Sequence, residues 1–149
     1  MNGILIIAHA PLASALRQCV AHVFTDHPEG VAALDVQPNT PPEETLAQAR
    51  TMLSQLGTSH ALVLADVFGA TPCNIARHLA ERVGVRVVAG VNVPMLWRAI
   101  NYRNKSLDDM VTLALAGASQ GVMQVAVSRP QNQAIKPSPD DSINRHHQQ

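Results

Sequence analysis

A histidine and an aspartate each directly follow an apolar segment of the sequence, and together they could act on a phosphoryl group. His9 comes after the apolar run at residues 3–8, and Asp66 comes after a second run at residues 60–65. An imidazole with one nitrogen held by a carboxylate has a fixed tautomer and a more nucleophilic second nitrogen. We therefore predict that His9 is a nucleophile and that Asp66 orients its ring. The alternative for Asp66 is a plain turn or capping acid.

The residues after Asp66 predict an anion site beside this histidine. Thr71-Pro72 is typical of a helix start, and the first N–H groups of a helix together with its dipole favour phosphate. Thr71 would add a hydroxyl, while Gly69 and Ala70 carry no bulky side chain that would block approach. We predict that Thr71, Gly69 and Ala70 bind phosphate and that His9 forms a phosphohistidine. Thr71 could also be a plain N-cap, which is compatible with phosphate contact.

Short apolar segments alternate with helical patterns along the chain, and these elements must position the site. Strands are predicted at residues 3–8, 31–36, 60–65 and 85–91, and helices at 12–24, 41–56, 71–83, 94–102 and 107–120. Thr40 and Ser106 are the predicted N-caps of the second and last helices, and residues 122–127 could add a fifth strand. Continuous apolar strands joined by helices predict a doubly wound α/β fold, with a mainly parallel four-stranded sheet and helices on both faces.

The predicted sheet brings the candidate residues to one edge. Ligands of open α/β sheets bind beyond the carboxyl ends of the strands, so we expect His9 and Asp66 to emerge together. Asn74, Asn92 and Pro94 lie in the segments after the third and fourth strands and are predicted to shape the site. Alternatively, the two asparagines only tie loops together through hydrogen bonds from side chain to backbone.

Other uses of this fold lack their motifs here. The turn after the first strand has no glycine, which excludes a dinucleotide loop, and neither GK[ST] nor GxSxG occurs. A receiver-type magnesium site needs acids after the first strand, and no acid precedes Asp26. Cys19 and Cys73 have neither disulfide-framework nor zinc spacing, so no metal is expected. The other histidines of the domain have no matching acid in the sequence: His22, His27, His60 and His78.

Length and charge limit the classes of function. A chain of 149 residues fits one domain. Eleven basic and eleven acidic side chains cancel, and aromatic residues make up 3%, so binding of nucleic acid or anionic lipid is not expected. There is no membrane-length apolar run and no basic flank before the first apolar segment, so we expect a soluble, cytoplasmic protein. The polar, proline-bearing residues 129–149 are predicted to be a disordered tail after a domain at residues 1–128.

Three blocks of sequence resemble the enzyme IIA components of the mannose-type (mannose/fructose/sorbose) bacterial phosphoenolpyruvate-dependent sugar phosphotransferase system. The blocks are GILIIAH at residues 3–9, DVFGATPCNIA at 66–76 and GVNVPML at 90–96. Together with the order of elements, the resemblance covers roughly residues 1–128. Members often carry Ser or Thr before the histidine and Gly after it, whereas this chain has Ala8 and Ala10, which bears on transfer rate rather than on identity.

The resemblance implies a phosphoryl carrier. His9 would accept the phosphoryl group on Nε2 from phospho-HPr and pass it to a IIB component, with Asp66 holding the other ring nitrogen and Thr71 contacting the phosphoryl group. Neither a metal nor an organic cofactor is implied. Family members are homodimers in which a C-terminal strand pairs with the partner's sheet, for which residues 122–127 are the candidate, and they associate with a membrane permease complex.

Two alternatives use the same residues. The chain could be a regulatory sensor whose phosphorylation controls a partner without any sugar permease. It could also be the related phosphotransfer subunit of a dihydroxyacetone kinase, although the GVNVPML block favours the mannose type.

Overall fold

The computed structural model describes residues 1–24 and 29–127 as four strands and five helices in alternating order. The elements are β1 (Gly3–His9), α1 (Leu12–Val23), β2 (Val31–Val36), α2 (Pro42–Gln55), β3 (Ala61–Ala65), α3 (Thr71–Leu79), β4 (Val85–Ala89), α4 (Val93–Asn101) and α5 (Leu107–Gln120). The strands form one parallel sheet in the order β2-β1-β3-β4. The predicted doubly wound α/β class is confirmed.

The central strands β1 and β3 position the candidate site. Ile7 pairs with Ala65 in their parallel register, so both strands end at the same edge of the sheet. Each is buried along its apolar length, with the five residues of β3 all at or below 3% exposure. Two buried central strands therefore hold His9 and Asp66 side by side on a rigid support.

Helices cover both faces of the sheet, as the continuous apolar strands require. Ile4 and Ile6 of β1 join the core cluster that contains buried residues of α1, α4 and α5. Leu5 and Ile7 point to the opposite face and join the cluster under α2 and α3. Burial of each such side chain contributes about 1.5–3 kcal/mol to the stability of the fold. Alternate residues of one strand therefore stabilise the packing of helices on both faces of the sheet.

Two predicted boundaries differ from the structure by more than one residue, and one predicted strand is not formed in the described chain. α3 ends at Leu79 instead of 83 because residues 80–84 turn back toward β4, with Gly84 at a φ of +85°. β4 ends at Ala89 instead of 91. Residues 122–127 form no strand in the described chain, because a strand needs a paired neighbour and this segment lies outside the four-stranded sheet. The predicted tail at 129–149 falls outside the described residues.

The predicted helix caps have mixed outcomes. Ser106 caps α5 as expected, accepting the Asp109 N–H at 3.2 Å. Thr40 does not cap α2, whose N-cap is Pro41 and whose first turn relies on Pro42 and two glutamates instead. None of the helices in the described part of the chain is long and apolar enough to cross a membrane.

Candidate functional site at the carboxyl edge of the sheet

His9 and Asp66 form a hydrogen-bonded pair at the carboxyl ends of β1 and β3. Nδ1 of His9 lies 2.6 Å from Oδ2 of Asp66, and the same oxygen accepts the backbone N–H of His9 at 2.9 Å. The His9 side chain is 55% exposed, whereas that of Asp66 is 10% exposed. Because the carboxylate accepts at Nδ1, this nitrogen carries the proton and Nε2 presents its lone pair at an accessible edge.

The surroundings of Asp66 keep its carboxylate ionised. Burial raises the pKa of Asp66, but hydrogen bonds from the backbone and ring of His9 and from the backbone N–H of Val67 outweigh it. The Val67 N–H lies 2.8 Å from Oδ1. The pKa of Asp66 is therefore lowered from its ordinary value, so this group is an anion that can orient and stabilise a protonated imidazole nitrogen.

The loop after Asp66 leads directly into a helix N-terminus that no side chain caps. Gly69 has a φ of +87°, a left-handed conformation that favours glycine, and an added Cβ would meet nothing within 4 Å. Ala70 is the N-cap of α3, so Thr71 is its first helical residue and not the predicted cap. Neither a capping side chain nor an acidic first-turn residue neutralises this end of α3, which leaves its positive dipole end available to an anion.

Thr71 and Asn74 lie together on the exposed side of α3. They line a cavity of about 320 Å³ whose other wall is the first turns of α2, including Pro42 and Glu43. In the described chain neither side chain is hydrogen-bonded to His9 or Asp66. Their site roles therefore stay predictions.

Asn92 and Pro94 lie at the start of α4 and contact the C-terminal part of α5. Asn92 caps α4 by accepting the Met95 N–H at 2.8 Å, and its Nδ2 donates to the Ala118 carbonyl at 3.3 Å. Pro94 packs against Gly121, where an added Cβ would come within 2.4 Å of the proline ring. These contacts favour the alternative that Asn92 ties loops together, and they place both residues in the support of the loop after β4.

Three features were missed by the sequence reasoning. Asp35 of β2 accepts hydrogen bonds from the first turn of α1. Its signal in the sequence was a single acid within an apolar strand. Phe68 is 77% exposed next to the pair, and a bulky aromatic in a glycine-containing loop was its signal. The prediction that His78 lacks a matching acid is wrong, because Glu81, three residues along the chain and just beyond α3, places its Oε1 3.5 Å from Nδ1 of His78. Within the described ranges, no three His, Cys, Asp or Glu side chains are grouped to hold a metal ion.

Comparisons with known proteins converge on one family. The family model EIIA-man, described as the PTS system fructose IIA component, matches residues 3–114. The mannose-specific EIIAB component of Escherichia coli (strain K12) is 29% identical over 122 residues, covering 79% of this chain and 38% of that protein. The same component of Shigella flexneri matches with the same identity and coverage. The chain thus spans well under half the length of these relatives.

Solved structures share the fold. The mannose/sorbose specific IIA subunit from Enterococcus faecalis has a TM-score of 0.77 and 22% identity, covering 86% of this chain and 97% of that one. The EIIA component from Streptococcus agalactiae has a TM-score of 0.75 and 22% identity, covering 83% and 97%. Each of the two solved chains is covered to 97%, so this chain shares their fold along nearly their whole length.

Proposed function

The chain belongs to the EIIA-man family of the sugar phosphotransferase system, and we propose from this premise that it carries a phosphoryl group on Nε2 of His9. The group comes from phospho-HPr and passes to a IIB component. The observation that carries the proposal is the 2.6 Å hydrogen bond from Nδ1 of His9 to the ionised Asp66, which leaves Nε2 as the accessible nucleophile.

Phosphoryl transfer to His9 is a displacement at phosphorus. The Nε2 lone pair forms a P–N bond as the P–N bond of the donor phosphohistidine breaks, and the donor imidazole leaves with that electron pair. The phosphorylated ring keeps its Nδ1 proton and gains positive charge. Oδ2 of Asp66, 2.6 Å from Nδ1, stabilises this developing charge more than it stabilises the neutral ring.

The phosphoryl oxygens need hydrogen-bond donors, and α3 offers them. The loops after the strands (residues 10–11, 37–41, 66–70 and 90–92) contain neither Lys nor Arg, so these loops supply no cation for the phosphoryl oxygens. We assign the phosphoryl contacts to Thr71 and to backbone N–H groups at Gly69 and Ala70, where the uncapped start of α3 favours an anion. Asn92 and Pro94 support the loop after β4, and we propose that Asn74 shapes the site from α3.

Intact-protein mass tests the proposal directly. The chain is mixed with phosphoenolpyruvate, enzyme I and HPr, and its mass is recorded before and after acid treatment. We expect one phosphoryl group per chain, lost in acid, as a phosphohistidine requires. Addition of a IIB component should then remove the group from this chain at neutral pH. A chain that gains no mass would contradict the proposal.

Transfer to a IIB component also separates the carrier from the regulatory alternative. A regulatory sensor would accept the same group on His9 but would keep it when IIB components are added. The dihydroxyacetone kinase alternative predicts that the phosphoryl group serves that kinase instead of a IIB component. We propose the carrier because the family of this chain is that of the mannose-type IIA components.

Phe68 is proposed to contact the donor protein. It is 77% exposed within two residues of Asp66, and exposed aromatic residues often anchor protein interfaces. Phe68→Ala should raise the KM for phospho-HPr by about tenfold, while its free energy of unfolding changes by less than about 0.5 kcal/mol. Steady-state transfer rates against HPr concentration measure this. Val83→Ala, at a residue 94% exposed before β4, is the matched control, and an equal KM for both variants would contradict the contact.

Dimerisation is proposed to use residues 122–127. This segment exposes Val122, Met123, Val125 and Val127 at 68% or more, and β4 is an edge strand of the sheet. Truncation after residue 121 should give a monomer, whereas truncation after residue 128 should leave a dimer. Light scattering after gel filtration gives both masses, and a dimer that survives the shorter truncation would rule this segment out.

A further inference from the structure

We infer that Asp35 is a positioning residue for phosphoryl transfer, acting through Ser14 and the first turn of α1 on the turn that follows His9. Oδ1 of Asp35 accepts the Ser14 backbone N–H at 3.0 Å, and Oδ2 accepts the Ser14 hydroxyl. The inference rests on the proposed function of His9. It adds a second carboxylate to the site, on the strand flanking β1 on the side away from Asp66.

The register of β1 and β2 places Asp35 next to the histidine. Asp35 pairs with Ala8 in the parallel ladder, and Val36 pairs with His9. Ala8 belongs to the core layer beneath α1, and Asp35 reaches the first turn of that same helix. The carboxylate therefore lies between the strand that carries His9 and the helix that follows it.

α1 has no other side-chain cap at its N-terminus. Its N-cap is Pro11, which offers no side-chain acceptor, and its first turn contains no acidic residue. Ser14 is the third helical residue, whose N–H is one that an N-cap side chain normally satisfies. Asp35 supplies this acceptor from a neighbouring strand, so the position of α1 depends on a tertiary contact and not on a local cap.

The short turn between His9 and α1 transmits this constraint. The Ala10 N–H donates to the Val36 carbonyl at 3.1 Å, and the Pro11 carbonyl accepts the Ala15 N–H at 3.1 Å. On the other side, Asp66 holds the His9 N–H and ring. The turn is thus held from β2, α1 and β3 at once. Loss of the Asp35 contacts would loosen one of these supports and misalign Nε2, and small misalignments of a reacting atom lower rates strongly.

The test compares Asp35→Ala, Ser14→Ala and Asp35→Asn in the full chain. Single-turnover transfer from phospho-HPr to His9 is measured at a temperature well below the thermal unfolding midpoint of every variant. We expect Asp35→Ala to lower the maximal rate by about tenfold with an unchanged KM for phospho-HPr, because the Asp35 carboxylate is part-buried against Ser14 and is not among the residues proposed to contact the donor. Ser14→Ala should be slowed less, since the backbone N–H contact remains. Asp35→Asn should restore most of the rate, because an amide oxygen still accepts that N–H.

Ser106→Ala is the matched control for a purely structural role. It removes a side-chain cap from α5, far along the chain from His9, so it should lower the unfolding midpoint without slowing transfer. A wild-type rate in Asp35→Ala, an equal loss in Ser106→Ala, or an Asp35→Asn variant as slow as Asp35→Ala would overturn the inference. Wild-type chain that accepts no phosphoryl group would overturn the proposed function as well, which separates the two failures. Ser14→Ala keeps the test decisive if Asp35→Ala does not fold.

Discussion

His9→Ala is expected to abolish acid-labile phosphorylation of the chain by phospho-HPr while leaving its fold intact. The side chain is 55% exposed, so its removal leaves no cavity in the core. The backbone N–H of the residue still donates to Asp66, and β1 keeps its pairing with both neighbours. We expect the free energy of unfolding to change by less than about 1 kcal/mol. The mass gain should fall from one phosphoryl group per chain to none.

His78→Ala is the control for this experiment. The His78 side chain is 57% exposed and its Nδ1 lies 3.5 Å from a carboxylate oxygen of Glu81, so it is the other exposed imidazole–carboxylate pair described in the chain. His78 lies near the C-terminal end of α3, away from the uncapped N-terminus of that helix. His78→Ala should therefore be phosphorylated to the wild-type level. Labelling that persists in His9→Ala, or that disappears in His78→Ala, would move the acceptor away from His9.

The sheet and the pairing of His9 with Asp66 could be predicted because both follow from local pattern. Apolar runs of five to seven residues separated by helical periodicity leave few arrangements besides a parallel sheet covered on both faces. Once the strands are parallel, the residues after them share one edge. The proximity of His9 and Asp66 could therefore be predicted without any knowledge of side-chain packing.

Features that depend on distant contacts could not be predicted in this way. The last predicted turn of α3 is lost because the chain must turn at residues 80–84 to enter β4, and the good helix formers Ala80, Glu81 and Arg82 do not reveal this. Thr40 and Thr71 have the residue type of an N-cap, yet Pro41 and Ala70 occupy those positions. The Asp35–Ser14 contact joins residues 21 apart, so it appears only when β2 lies beside β1.

Asp66→Asn is expected to slow phosphoryl transfer by on the order of a hundredfold or more. The carboxylate has two acceptor oxygens, Oδ2 facing the backbone and ring of His9 and Oδ1 facing the Val67 N–H, whereas an asparagine has only one. With its oxygen at the Oδ2 position, the asparagine would accept from the ring as an uncharged group. With its oxygen on the Val67 N–H, its amide nitrogen would donate toward the ring, which would then carry its proton on Nε2 and lose the nucleophilic lone pair there, as happens when an orienting aspartate is amidated in other histidine sites. The developing positive charge on the ring would also lose its counterion. Single-turnover kinetics with phospho-HPr measure both effects together.

Asp108→Asn makes the same chemical change at a distant ion pair and is the control. Asp108 lies 3.2 Å from Arg86 with its side chain 79% exposed, so its amidation should leave the transfer rate unchanged. An Asp66→Asn variant that transfers at the wild-type rate would show that this carboxylate only shapes the turn.

The acid dependence of stability provides an independent check on Asp66. Its folded-state pKa is lowered from 3.8, so the ionised carboxylate stabilises the fold above that value, and this contribution is lost as pH falls through the lower folded-state pKa. The difference in free energy of unfolding between wild type and Asp66→Asn should therefore be largest near neutral pH and should shrink below about pH 4. Denaturant titrations at several pH values measure this difference. A constant difference across the acid range would mean that the hydrogen bonds to Asp66 do not favour its ionised form, and the charge assigned to it in the transfer step would lose its support.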